Sequence, residues 1–424
     1  MTLLLLGSFT ALFVLGWPVV LAIMIPAIAY VLWSGFPIEL IGQRMAYALD
    51  SFPLVAVPVF IFVGNLMNQS GITEVIYRFA TTLVSRIYGG LAQVNIVGSL
   101  IFSGMSGAAL ADIGGLGRIE VKAMTSHGFK REFAGALTCA SAVVGPIFPP
   151  SIPLIIYGSI TNVSIIQLLL AGIVPALVCV ALLMITVAVL AWRRDFPRAP
   201  RWPTLRELWS DFLPALPALM TPVLLVVGML LGLFTPTEAA SVTVAYVILI
   251  SGFVYRTLTW QHLVHSAFET LKSTSAILII VAAAALFGWI MAVEQIPQTL
   301  ARSLLSLSTD PLMLLLIVNV VLLIAGMFLD STTATLLIVP IIAGPLHLAG
   351  VDPVHLGIVV IFNLMLGLLT PPMGLALFLI AEIAQVSMRA VLRELVPFYL
   401  PLVATLALII LFPKLSLWIP MMIR

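Results

Sequence analysis

The chain has 424 residues, of which 62% are hydrophobic and 8% charged, with a mean hydropathy of +1.21. Soluble domains carry about a quarter charged residues, so this composition excludes a water-soluble globular fold. A net charge of +2 spread over short loops leaves no basic face for nucleic acid; membrane lipid, ions, small solutes and other proteins are the expected partners.

Met1 to Ile38 contains no Asp, Glu, Lys or Arg, and neither does Phe133 to Trp192; each exceeds the roughly 20 apolar residues that cross a bilayer. The N-terminal MTLLLLGSF lacks the basic residues that precede a signal peptide's apolar stretch and is read as a retained span. The apolar runs are continuous rather than alternating, and too long for barrel strands of about ten residues, so the spanning elements are helices. An all-α polytopic integral membrane protein follows. Spans or part-spans are expected near 3–34 (broken by Gly16-Trp17-Pro18), 52–68, 91–126, 133–160, 165–192, 212–234, 238–255, 274–293, 312–329, 332–350, 354–385 and 395–422. Cys139 and Cys179 sit in apolar stretches without CxxC spacing and read as small buried residues, not a metal or disulfide framework.

The first break in the apolar pattern, SGMSGAALADIGGLG from Ser103 to Gly117, is too rich in Gly for an uninterrupted helix. Irregular backbone in hydrocarbon is tolerated only when buried in protein or lining a watery cavity, which makes this segment the tip of a re-entrant hairpin. The next break, GPIFPPSIP from Gly145 to Pro153, places consecutive prolines where two amide donors are lost, and carbonyls there lose their intrahelical partners. Free carbonyls and hydroxyls such as Ser103, Ser106, Ser151 and Thr370 suit a hard cation beside a half-helix N-terminus.

Between Trp192 and Leu205, Arg193, Arg194, Arg198 and Arg201, followed by Arg206, form the densest basic cluster, which the positive-inside tendency assigns to the cytoplasm. This loop, 193–210, divides the chain into comparable halves, 1–192 and 211–424, and the halves repeat. A shift of 222 pairs Gly104-Met105 with Gly326-Met327, Gly145 with Gly367, and Pro149-Pro150 with Pro371-Pro372; a shift of 224 pairs Asn95 with Asn319 and Gly64 with Gly288. In the second half, Glu238 follows Pro236-Thr237 as a first-turn helix cap.

The second hairpin, about 319–345 against about 95–125 in the first half, contains GMFLDSTTATLLIVP. Asp330 with Ser331, Thr332 and Thr333 reads as an N-cap cluster, and a carboxylate in an apolar context is also a functional-site candidate. GLLTPPMG at 367–374 repeats the Pro-Pro break. Arg118, Lys122, Lys130 and Arg131 follow the first hairpin, whereas HLAGVDPVHLG after the second has no Lys or Arg. The first hairpin is therefore expected to open to the cytoplasm and the second to the outside. Equivalent elements on opposite faces describe an inverted-topology repeat with its site near the midplane, and hence an alternating-access transporter.

Over nearly its whole length the chain resembles the large membrane subunit of tripartite ATP-independent periplasmic (TRAP) transporters. The resemblance rests on Gly16-Trp17-Pro18, VPVFIFVGNLMNQSG at 57–71, SGMSGAALADIGGLG, GPIFPPSIPLIIYG at 145–158, GLFTPTEAA at 232–240, GMFLDSTTATLLIVP and GLLTPPMGLALF at 367–378, in this order. Met105 and Ala108 depart from the commonest form of the first tip. The resemblance implies scaffold helices plus a transport domain built around two hairpins and moving as an elevator, in a multi-pass protein of the bacterial inner membrane. It implies sodium ions as the coupling ion, a small four-helix membrane subunit on a separate polypeptide, and a soluble periplasmic substrate-binding protein that delivers an organic acid such as a dicarboxylate or sialic acid. Carried over by motif, one sodium and substrate region comprises Ser103, Ser106 and Gly107 with Gly145, Pro149 and Pro150. The other comprises Gly326, Asp330 and Thr333 with Thr370, Pro371 and Pro372.

Other readings compete for the same residues. Gly104-Met105-Ser106-Gly107 matches the GxSG of rhomboid-type intramembrane proteases, but that chemistry needs a base. His127, His262, His265, His347 and His355 fall at span ends or in loops and read as solvated, so the protein is expected not to be an enzyme. A self-sufficient sodium- or proton-coupled carboxylate transporter, needing no binding protein, is the alternative. Asp112 reads as a partner for hydrogen-bonding groups of its own hairpin, and Asn65, Asn95 and Asn319 as interhelical hydrogen-bonding residues.

Overall fold

The computed structural model describes residues 2–196, 202–308 and 310–422; Arg198 and Arg201 of the basic cluster lie outside them. Helix dominates, and among the described residues eight helical stretches are long and apolar enough to cross a membrane: Phe52–Gln69, Ile165–Arg194, Leu205–Leu230, Pro236–Val254, Trp260–Val293, Pro311–Phe328, Ser331–Leu348 and Met388–Leu411. Shorter apolar helices, Val19–Trp33, Leu91–Ser106, Ile152–Thr161, Pro353–Leu368 and Leu375–Ala384, are the pieces into which the Gly and Pro breaks cut the remaining runs.

Local chemistry explains several boundaries. Thr204 and Glu207 form a reciprocal capping box at the start of Leu205–Leu230, and Thr235 and Glu238 do the same for Pro236–Leu249. Each pair satisfies two backbone donors that a helix start leaves free. Gly16-Trp17-Pro18 separates Thr2–Val14 from Val19–Trp33, two helices that pack on one another, so 3–34 is two antiparallel helices and not one broken span. Three further helices, Glu39–Leu49, Ile72–Val84 and Ile296–Leu307, fall outside the expected spans because polar residues alternate with apolar ones around them; their apolar residues gather on one face. Helix Trp260–Val293 begins well before the expected 274, since its first turns carry His262, His265, Glu269 and Lys272. Its 34 residues run ~50 Å, longer than the ~30 Å hydrocarbon layer.

The two halves interlock. The first hairpin consists of Leu91–Ser106, a tip helix Ala109–Gly114 and a return arm Leu116–Ser126; the second consists of Pro311–Phe328 and Ser331–Leu348. In each hairpin the return arm packs against the outgoing arm. Helix Ile152–Thr161, which follows the first Pro-Pro break, packs on the second hairpin's Ser331–Leu348. Reciprocally, Leu375–Ala384, which follows the second, packs on the tip and return arm of the first hairpin. Within the second half, Gly326 and Gly367 let Pro311–Phe328 and Pro353–Leu368 approach closely: a Cβ on Gly367 would sit 2.6 Å from the Gly326 backbone. The one ion pair among the described residues, Arg194 with Glu394, joins the end of the first half to Met388–Leu411.

Candidate functional site

The outgoing arm of the first hairpin carries a polar stripe. Asn95, Ser99, Ser103 and Ser106 recur at spacings of four, four and three, one face of a helix, and all four are buried. Ser141 donates to the Asn95 side-chain oxygen at 2.8 Å, and Asn95 donates to Thr138 at 2.7 Å and to Glu120 at 2.9 Å. Ser99 and Ser141 share a hydrogen bond of 2.9 Å. A buried polar group without a partner is costly, and this stripe meets that demand by pairing hydroxyls and amides across helices.

At the tip the stripe reaches Asp112. Ser106 donates to one carboxylate oxygen and Ser103 lies 3.4 Å from the other, while Asp112 itself is buried. The expected pairing of Asp112 within its own hairpin is thus observed, and with the two serines proposed from sequence as cation ligands. Gly145 completes the arrangement: a Cβ there would come within 2.6 Å of the Asp112 oxygen. Ser103, Ser106, Gly145 and Asp112 therefore form one cluster, with Asp112 added by the structure.

Gly107 ends the outgoing helix with a φ of +63°, a conformation open to glycine and strained for other residues. A Cβ on Gly107 would strike the Pro150 carbonyl oxygen. The Gly107 carbonyl accepts from the Ile152 N–H at 3.2 Å, tying the tip to the Pro149-Pro150 break. The second half repeats the tie: the Gly374 N–H, likewise two residues past its Pro-Pro pair, donates to the Met327 carbonyl at 3.1 Å. Asn363 donates to both the carbonyl and the side chain of Asn319, whereas Ser141 donates to the side chain of Asn95 and to the Thr138 carbonyl. Ser151 is engaged elsewhere; it caps Ile152–Thr161 and donates to the Pro146 carbonyl.

Asp330 caps the return arm of the second hairpin, accepting from the backbone N–H of Thr332 at 3.0 Å and Thr333 at 3.2 Å, and from the Thr333 hydroxyl. The N-cap reading is therefore correct as geometry, and the same residue also faces open space. A cavity of about 300 Å³ is lined by Ser106 and Ala108 of the first tip together with Asp330, Ser331 and Thr332 of the second. No Lys, Arg or His is among the residues that line it. Thr370 donates to the Leu366 carbonyl at 2.7 Å, and no hydrogen bond links it to Asp330 or Thr333. Gly326, Gly367 and the Pro371-Pro372 break meet through backbone contact.

Sequence reading passed over two further walls of this cavity. Helix Ala56–Gln69 presents Ile61, Gly64, Asn65 and Asn68 to it, and Trp260–Val293 presents Ser273 and Ile277. Asn65 makes the interhelical hydrogen bond expected of it, donating to Thr270 at 3.0 Å. The available signal was its spacing from Asn68, which puts two amides on one face of an otherwise apolar helix. Gly64 brings that helix against Ser106, at 3.3 Å from a would-be Cβ to the serine Cα. One histidine expectation is corrected: His355 is buried, in the first turn of Pro353–Leu368, with its ring 3.4 Å from Ser416. No histidine hydrogen-bonds Ser106, whose hydroxyl is directed at Asp112.

The family model for the tripartite ATP-independent periplasmic transporter, DctM component, matches residues 6–415. The chain is 42% identical to the sialic acid TRAP transporter large permease protein SiaM of Vibrio cholerae, over 96% of this chain and 95% of that protein. It is 32% identical to the C4-dicarboxylate TRAP transporter large permease protein DctM of Pseudomonas aeruginosa, over 93% and 92% of the two. Identity is also 32% to the 2,3-diketo-L-gulonate TRAP transporter large permease protein YiaN of Escherichia coli, over 95% and 94%. In fold it is similar to the Alcanivorax borkumensis YdaH transporter, with a TM-score of 0.58 at 15% identity, covering 90% of this chain and 88% of that one.

Proposed function

This chain belongs to the DctM component family of tripartite ATP-independent periplasmic transporters, and on that premise we propose that it couples the inward movement of sodium ions to uptake of an organic acid of the dicarboxylate or sialic acid class. As a large permease subunit it is a transporter and not an enzyme; the family implies a small membrane subunit and a periplasmic binding protein as its partners.

The observation that carries the coupling is the convergence of both hairpin turns on one cavity whose lining has a carboxylate, Asp330, and no basic side chain. An organic anion entering that cavity meets no fixed positive side chain. Sodium supplies the missing charge, so cation and anion each raise the affinity for the other. Oxygen donors suit a hard cation, and they are what this site offers: the Ser103 and Ser106 hydroxyls and Asp112, with backbone carbonyls around Gly107, Gly145, Pro149 and Pro150. In the second half, Gly326, Asp330, Thr333, Thr370 and Pro371 are the corresponding set. The N-terminal turn of Ser331–Leu348, directed at the cavity by Asp330 and Ser331, adds a positive dipole end for the substrate carboxylate.

Alternating access follows if the repeats 1–192 and 211–424 are inverted in the bacterial inner membrane, with re-entrant hairpins gating opposite faces and a transport domain moving as an elevator against scaffold helices. The reciprocal packing of each post-proline helix on the other half's hairpin supports this reading. Uptake of labelled organic acids into proteoliposomes containing this chain and its small partner tests it, with and without a sodium gradient and the binding protein. Uptake that requires both is expected. Uptake driven by sodium without the binding protein would identify a self-sufficient transporter, and uptake indifferent to sodium would overturn the coupling.

A further inference from the structure

The return arm of the first hairpin carries Arg118 and Lys122 four residues apart, hence on one helix face. This face forms one wall of a cleft of about 520 Å³. Arg131, at the start of the next helix, and Leu379, Glu382 and Ile383, near the end of Leu375–Ala384, form the others. Three cations therefore face one carboxylate, and none is neutralised in place, since the ion pair of the described residues lies elsewhere, at Arg194 and Glu394. Unneutralised like charges repel, and an anion between them removes that cost.

Leu379 and Ile383 lie four apart on their helix, so the cleft joins an apolar wall to a basic one. A free anion needs only the charges. A molecule with an anionic head and an apolar tail uses both walls, and in a membrane protein that molecule is at hand: basic pockets between helices at the membrane surface hold anionic lipid headgroups. We propose that this cleft binds the phosphate of an anionic phospholipid, with the acyl side laid along Leu379 and Ile383. A lipid there bridges the first hairpin to the helix that follows the second Pro-Pro break, which belong to different halves of the chain. The site is separate from the cavity between the hairpin tips and stands or falls independently of the transported substrate.

The test is equilibrium binding to the purified full-length chain in zwitterionic nanodiscs, using short-chain phosphatidylglycerol, short-chain phosphatidylcholine and inorganic phosphate as probes. Saturable binding of phosphatidylglycerol is expected, weakened about 25-fold by Arg118→Gln with Lys122→Gln, at roughly fivefold for each charge removed. Arg131→Gln alone is expected to weaken it about fivefold on the same basis, which keeps the test open should the double variant fold poorly. Arg206→Gln, an exposed arginine on another helix, should leave binding unchanged. Equal binding of phosphatidylglycerol to the wild-type protein and to both cleft variants would overturn the site. Phosphatidylcholine binding as tightly as phosphatidylglycerol would overturn the role of charge, and inorganic phosphate binding as tightly would overturn the lipid in favour of a free anion.

Discussion

The Ser141 hydroxyl donates to the Asn95 side-chain oxygen at 2.8 Å, and the same bond recurs in the second half between Asn363 and Asn319. Asn319 lies 224 residues after Asn95, and Asn363 lies 222 after Ser141. Each pair fastens a hairpin's outgoing arm to the helix ahead of a Pro-Pro break, so the polar pairing is repeated along with the apolar pattern.

Loss of either bond leaves a buried amide oxygen without its donor, which costs about 1–3 kcal/mol. Ser141→Ala and Asn363→Ala should each lower the thermal unfolding midpoint of the purified protein. Asn363→Ala should have the larger effect, because Asn363 donates to both the Asn319 carbonyl and its side chain. Midpoints equal to that of the parent protein would show that these bonds add nothing to the fold.

Ser106 and Asp112 lie at the first tip with their side chains in contact, and the proposed sodium site rests on them. Ser106→Ala removes one oxygen donor and should raise the sodium concentration for half-maximal uptake about tenfold, as the loss of ~1.4 kcal/mol implies. Asp112→Asn keeps the shape and removes the charge, and should raise it further. An unchanged sodium response in both variants would remove this cluster from the coupling site.

Asp330 both caps a helix and lines the cavity, and two substitutions separate those roles. Asp330→Asn keeps an N-cap of nearly equal quality, whereas Asp330→Ala loses about 0.5–2 kcal/mol of helix stability. If the carboxylate serves transport, both variants lose sodium-driven uptake while only Asp330→Ala melts early. Uptake by Asp330→Asn at the parent rate, at saturating and at low sodium, would reduce the residue to a cap.

Gly367→Ala is a test of the close approach in the second half. Its Cβ would fall 2.6 Å from the Gly326 backbone, and overpacking of this kind costs about 1–3 kcal/mol. The variant should unfold at lower temperature and transport more slowly, while Gly114→Ala, where no atom lies within 4 Å of the new Cβ, should behave as the parent in stability. Equal midpoints for the two variants would show that the helices part without cost.

What the sequence by itself determined is the chemistry of the chain's local choices. Long uncharged runs dictate helices in a bilayer, Gly and paired Pro dictate where they break, and Asp330 and Glu238 announce helix starts, because each of these effects acts within a turn or two of the residue responsible. The same locality explains what was missed. Glu39–Leu49, Ile72–Val84 and Ile296–Leu307 carry no long apolar run, and Asn65 and Asn68 are two amides in an apolar helix until Trp260–Val293 and both hairpin tips are placed around them. Only the tertiary structure decided that Gly145 closes on Asp112, that His355 is buried, and that each post-proline helix packs on the other half's hairpin. Those pairings join residues far apart in the chain, and no residue's own preference selects its distant partner; close packing of the whole set of helices does.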